Sequence, residues 1–348
     1  DVFIGGDGKD TLTIGATTKG ITTGAGDDNV TTGAAFGAGG SLDGGDGTDT
    51  LTLTAANVVT ASGDGTYETK VSNFERVSVG QISGNIAVNT ANLDDINYIT
   101  IAGSAGNSQV ATLNNLAADP TAVVSAAMGG AAAGVTLALA DASGTADAVN
   151  LKISTNGDSQ GGTFTANSVE TVNLESDDTT PLTAHTQIAT LAGNAIKTLN
   201  ITGDAGLTLT NTSTTITTVN ASGQTGASDG DGTAWATIGA LAGNATFTGS
   251  AKNDNFGGSG NTGVATKAQT MDGGAGQDTL GGGAGADTLT DTSAEALGNG
   301  NSFIGRDGND TITGGAGKDT VDGGNGNDSI TTGAGNDTVS PGAGNDIV

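Results

Sequence analysis

The chain is 348 residues long, with 37 acidic against 10 basic side chains, a formal charge of −27 and no cysteine. Disulfide stapling and thiol chemistry are thereby excluded, and nucleic-acid binding is excluded for want of a basic footprint; contact with an anionic membrane would need a bridging cation. With 62 glycines, 3 prolines and 3% aromatic residues, the chain has mostly Ala, Val, Thr, Leu and Ile for a core, which suits a narrow solenoid whose coils cover one another.

The chain opens on strand-like Val2-Phe3-Ile4 and enters Gly5-Gly6-Asp7-Gly8-Lys9-Asp10-Thr11-Leu12. This unit is a glycine-rich tetrad, an aspartate two residues on, and an aliphatic residue two further. It returns in register at Thr23–Val30 with Asp28, after a unit that has lost its aspartate. A third copy, Gly44 to Leu51 with Asp49, stands out of register, so Asp10 and Asp49 lack a clear stacking partner.

Residues 55–248 carry a different signature, aliphatic-x-x-aliphatic-x-aliphatic. It reads Phe74-Glu75-Arg76-Val77-Ser78-Val79, then Ile96 to Ile101, Val169 to Leu174, Ile196 to Ile201 and Ile216 to Ala221. Several of these spacings fall in the range of a solenoid coil. Val135–Leu139 and Val149–Ile153 alternate like strands. The segment therefore predicts an irregular β-solenoid with Thr and Asn ladders, a β-sandwich being the alternative. A few short helices are expected, the best candidate being Asn114–Gly130, rich in Ala and Leu. Leu191-Ala192-Gly193-Asn194-Ala195 recurs at Leu241–Ala245.

From residue 249 the first unit resumes. Gly249–Phe256, with Asp254, is a degenerate copy. Gly273-Gly274-Ala275-Gly276 precedes Asp278, and Gly282-Gly283-Ala284-Gly285 precedes Asp287. An insertion, Thr290–Ile304, is expected to interrupt the series. From Gly305 an aspartate then recurs every nine residues, at Asp310, Asp319, Asp328, Asp337 and Asp346, each followed two residues later by Ile312, Val321, Ile330, Val339 or Val348. Glycine permits the positive φ of a tight turn. The x-aliphatic-x triplet is a minimal strand with one side chain inward. One repeat is thus half a coil, and repeats n and n+2 stack at roughly 4.8 Å. That places Asp310 over Asp328, Asp319 over Asp337, and Asp328 over Asp346. Carboxylates about 5 Å apart repel by roughly 1 kcal/mol in water and about 3 kcal/mol at an effective dielectric of 20. A hard cation that takes six to eight oxygens, Ca2+, relieves this. The spacing predicts a ladder of several Ca2+ ions.

These residues resemble the RTX family, the calcium β-rolls of bacterial type I secretion substrates. The resemblance covers about 1–54 and 249–348, on either side of the solenoid at 55–248. It implies a right-handed parallel β-roll and export in one step to the cell exterior, with folding triggered by calcium there. By motif position it implies Asp10, Asp28, Asp49, Asp278, Asp287, Asp310, Asp319, Asp328, Asp337 and Asp346 as side-chain ligands. Tetrad carbonyls would complete the sites, from Gly274, Gly276, Gly283, Gly285, Gly305, Gly308, Gly315, Gly317, Gly324, Gly326, Gly333 and Gly335. The fold class expected is all-β, a right-handed parallel β-solenoid with calcium-binding β-roll segments.

Catalytic motifs carry little weight. The only histidine, His185, excludes two-histidine zinc motifs and reads as an exposed polar residue in a Pro181–Gln187 loop. Gly226-Ala227-Ser228-Asp229-Gly230 matches a nucleophile elbow by letters without its strand and helix. Gly258–Gly263 matches G-x-G-x-x-G as any glycine-rich chain will. Trp235 reads as local packing. The chain is therefore expected not to be an enzyme. No segment reaches the apolar length of a membrane span, the N-terminus lacks the regions of a signal peptide, and both ends look like cuts, so a fragment or processed domain is expected.

Acidic, cysteine-free and rich in Thr, Ala and Gly, with nonapeptides interrupting a long solenoid, the chain also resembles calcium-dependent crystalline S-layer proteins of the Caulobacter type. That resemblance implies a bacterial cell-surface location and self-assembly into a homo-oligomeric lattice, with cell-surface polysaccharide held through a domain outside this sequence. An RTX adhesin or biofilm-matrix protein, or the calcium-folding tail of a secreted enzyme or toxin, is the alternative.

Overall fold

A computed structural model describes residues 2–348 apart from 34, 95, 131, 181–184, 226–235, 239–243, 258–267 and 292–299. The chain divides into two compact units, Asp1–Ser154 with Gln160–Asn167, and Thr155–Ser159 with Ser168–Val348. The division falls inside the 55–248 segment. Each unit is an all-β parallel solenoid.

In the first unit the strands Thr11–Thr13, Asn29–Thr31, Thr50–Leu53, Arg76–Val79, Tyr98–Ile101, Thr121–Val124 and Ala148–Thr155 pair in parallel in that order. Leu12, Val30, Leu51, Val77, Ile99, Ala122 and Leu151 form one unbroken row. In the second unit the row runs from Val172 through Leu199 and Val219. It continues through Phe247, Met271, Leu289 and Ile312 to Ile330. Facing it, Phe256, Leu280, Phe303, Val321 and Val339 make a second row. Parallel pairing follows from winding, because each strand meets its partner only after a full coil. A strand such as Thr311–Thr313 has one buried side chain between two outer ones, so a single aliphatic per repeat suffices.

The six-residue signature is the strand together with its corner. Phe74, Ile96, Val169, Ile196 and Ile216 are all buried where the chain turns into the strand, and the two later aliphatics line it. Outside, Asn200 Nδ2 donates to Asn173 Oδ1 at 2.8 Å and Asn115 Nδ2 to Asn89 Oδ1 at 2.7 Å, as ladders require.

Three expectations are corrected. Asn114–Gly130 is not helical: it contributes to the strands Val110–Leu116 and Thr121–Val124, with positive φ at Asn115 inside the first and at Asp119 in the turn between them. Stacking on neighbouring coils overrides the Ala/Leu helix propensity. The α-helix is instead Ala55–Ser62, capped by the Thr54 hydroxyl, which accepts from Asn57 N at 3.2 Å. The copy at Gly44–Leu51 is in register after all, since Val30 pairs with Leu51, so the extra residues lie in the opposite half-coil. Nor does the insertion break the series. Thr290 ends one strand, Ile304 lies inside Ser302–Asp307, and Leu280, Phe303 and Val321 stay in line.

Candidate metal centre

The aspartates form columns in the turns, and the bonds within each column follow one rule. A backbone N–H at the column position donates to the side-chain oxygen of the residue one coil further on. In the first unit Asp10 N donates to Asp28 Oδ1 and Asp28 N to Asp49 Oδ1, both at 2.7 Å. Asp49 N donates to Glu75 Oε2 at 2.6 Å. Asp10 and Asp49 thus do have stacking partners, and Glu75 ends the column. The sequence did not mark Glu75 because it belongs to the solenoid signature. Its turn, Asn73 to Glu75, is shorter than the tetrad turn, and the longer side chain makes up the reach.

The second unit holds two such columns. In one, Asp254, Asp278, Asn301, Asp319 and Asp337 follow each other, linked by bonds of 2.6–3.0 Å. In the other, Gln269, Asp287, Asp310, Asp328 and Asp346 are linked at 2.6–2.9 Å. The expected superpositions of Asp310 on Asp328, Asp319 on Asp337 and Asp328 on Asp346 are all present. Two members escaped sequence reading. Asp254, the aspartate of the degenerate copy, is in the column, where Ser250 N and Oγ hold its Oδ2 at 2.6 and 2.9 Å. Asn301 and Gln269 replace aspartates with amides. Asn301 Nδ2 also donates to Asp291 Oδ2, a buried carboxylate from the far side of the insertion.

The columns are buried and short of partners. Asp28, Asp49, Asp310 and Asp328 are at most 1% exposed, and the Oδ2 of each has no hydrogen-bond partner, as has Oδ1 of Asp254. An unpaired buried carboxylate is expensive. Desolvation, above all, pushes Asp310 up to about 7, with the charges of Asp287 and Asp328 adding to it. Desolvation likewise pushes Asp254 and Asp49 up to about 6. Among the described residues no three His, Cys, Asp or Glu side chains cluster as a metal centre. Any ion here must be shared between successive carboxylates and backbone carbonyls. An all-oxygen set of that kind fits Ca2+ and does not fit a metal that prefers nitrogen or sulfur.

The glycines build the cradle. An added Cβ at Gly323 would stand 2.6 Å from Asp328 Oδ2 and 2.3 Å from Pro341 O, so only glycine lets the carboxylate fold over its own turn. Gly324 has φ +102, a conformation costly for other residues. Gly274, Gly276, Gly308, Gly317, Gly326, Gly333 and Gly335 also have positive φ. Of the implied carbonyl ligands, Gly283, Gly315 and Gly324 already accept from Asp307, Ala334 and Ala343 N at 3.2, 3.0 and 2.7 Å. One lone pair on each remains for a cation.

His185 is corrected as well. It is half-buried and its Nδ1 lies 2.7 Å from Asp178 Oδ2, while Gln187 is inside the strand Thr186–Ala192. Gly226–Gly230, Trp235 and Gly258–Gly263 lie outside the described residues. No helix among the described residues is long and apolar enough to cross a membrane.

The family model of the RTX calcium-binding nonapeptide repeat (4 copies) matches residues 270–289, 297–330 and 317–348. No curated protein matches the chain. The repeats of this C-terminal segment are calcium-binding repeats, and they bind several ions.

Proposed function

We propose that the chain is a structural subunit of a bacterial surface layer, exported to the cell exterior and ordered there by Ca2+. The single observation that carries this reading is the continuity of the rows within each unit. Leu51 of a nonapeptide pairs with Val77 of the plain solenoid, and Phe247 of the plain solenoid pairs with Met271 next to a nonapeptide. Within each unit, calcium turns and plain coils are therefore continuous, as a load-bearing lattice element needs. Export is supported by the repeats themselves, which are typical of secreted proteins.

In this reading the ion would be held by pairs of stacked carboxylates, such as Asp310 with Asp328 and Asp319 with Asp337, and by carbonyls of the tetrads. Asp10, Asp28, Asp49 and Glu75 would do the same in the first unit. Bound Ca2+ supplies the positive charge that the column lacks, and winding follows. Asp28, Asp49, Asp310 and Asp328 each place one oxygen on a backbone N–H of the neighbouring coil and leave the other for the ion. Further surface carboxylates would bridge copies of the chain in a homo-oligomeric lattice. Electron microscopy of the purified protein at millimolar calcium tests the proposal. A two-dimensional lattice that dissolves in chelator is expected; isolated particles under both conditions would refute it in favour of the adhesin or enzyme-tail reading.

A further inference from the structure

Arg306 stands where its structural partner is a glycine. The strand Ser302–Asp307 pairs Arg306 with Gly324, the second glycine of the next tetrad in its column. Arg306 keeps the turn conformation, φ 77, at the strain a side chain brings there. Its guanidinium folds back along the column instead of into solvent. Nη1 donates to the carbonyl of Gly282, and Nη2 donates to the carbonyl of Gly257 at 2.5 Å. Gly257 and Gly282 each follow the end of a strand in successive coils; by register Gly257 lies over Gly281, and Gly282 over Gly305 and Gly323. The same column changes in a second way at this end: its first member is the neutral Gln269, whose N–H donates to Asp287 Oδ1 at 2.6 Å.

We propose that the Arg306 guanidinium is the resident cation at the carbonyls of Gly257 and Gly282, so that this calcium ladder stops below them. The inference rests on the calcium reading of the columns. A divalent ion needs carbonyl oxygens and at least one pair of carboxylates. Here the carbonyls are taken by a planar fork of N–H donors, and Gln269 has removed one carboxylate. A guanidinium carries a fixed charge and cannot be deprotonated in a protein. The Gly257 and Gly282 carbonyls are thus held by a cation that no chelator removes and no calcium supply controls. The other turns of the column, down to Asp346, remain calcium-dependent.

Calcium bound per chain, counted by equilibrium dialysis on the full chain, tests this. Arg306→Gly with Gln269→Asp, which frees the carbonyls and restores the carboxylate pair, is expected to bind one more ion than the parent, whereas Gln269→Asp alone is not, because Arg306 still holds the carbonyls. Hydrogen exchange of the unaltered chain in chelator is the second measurement, and it needs no variant to fold. The amides of Gly282 and Gly283 are expected to stay protected while those of Gly326 and Gly335 exchange. A parent that binds calcium with a double variant that binds no more, or uniform exchange of all four amides, would overturn the Arg306 assignment and leave the ladder standing. A parent that bound no calcium would overturn the ladder itself.

Discussion

At the scale of single residues, Asp328 divides its labour between its two oxygens. Asp328 Oδ1 accepts from Asp310 N at 2.8 Å, Asp328 N donates to Asp346 Oδ1 at 2.9 Å, and its Oδ2 is buried without a partner. Asp328→Asn keeps the first bond and removes the charge from two successive carboxylate pairs. Calorimetric titration should show calcium affinity lost at two sites, by about tenfold or more each, which is about 1.4 kcal/mol or more; an unchanged isotherm would count against the columns. The pH dependence follows from the raised carboxyls. Asp310 titrates at about 7 and Asp254 at about 6 in the calcium-free fold, against about 3.9 in the unfolded chain. The folded state therefore binds more protons between those values. Its stability is fully present below about pH 4 and is lost as pH rises through about 7. In chelator, the melting temperature of the second unit should be higher at pH 4 than at pH 8, and calcium should abolish that difference.

At the scale of elements, the half-coil is the unit, and it was legible because it repeats. A nine-residue period, one aliphatic and one aspartate per strand and turn fix the strand, its inward side chain and the column together. The solenoid signature was equally readable, because Phe74, Ile96 and Val169 turn inward at corners that only a wound chain has. What could not be read depended on length elsewhere in a coil. The copy with Asp49 looked shifted because extra residues lie in the opposite half-coil, which periodicity alone does not separate from a slip of register. Glu75 and Asn301 were hidden because they hold the column position by chemistry other than the motif's. The Asn114–Gly130 segment misled because local propensity favours a helix where stacked neighbours impose strands. Two changes separate these elements. Gly323→Ala would set a Cβ 2.3 Å from Pro341 O and 2.6 Å from Asp328 Oδ2, and should cost at least one calcium ion in equilibrium dialysis. Leu199→Ala empties a fully buried place in the row and should cost about 2–5 kcal/mol. Denaturant titration should give that loss with or without calcium.

At the scale of the whole molecule, two kinds of cohesion are joined in series. Apolar rows run through both kinds of coil, while the calcium repeats of 270–348 add a charge-dependent clamp, and the turns of 1–54 do the same in the reading proposed above. Chelation should therefore unwind those segments first and leave the strands around Ile99 and Leu199 in place. Circular dichroism should then lose only part of its β signal. The formal charge of −27 acts the same way, since self-repulsion rises when the bound cations leave. The most direct measurement is an anomalous difference map from crystals grown in calcium. Peaks between the Oδ2 atoms of Asp310 and Asp328, repeated down each column, are the result predicted. Ordered turns at those positions with no anomalous density between the carboxylates would contradict the account.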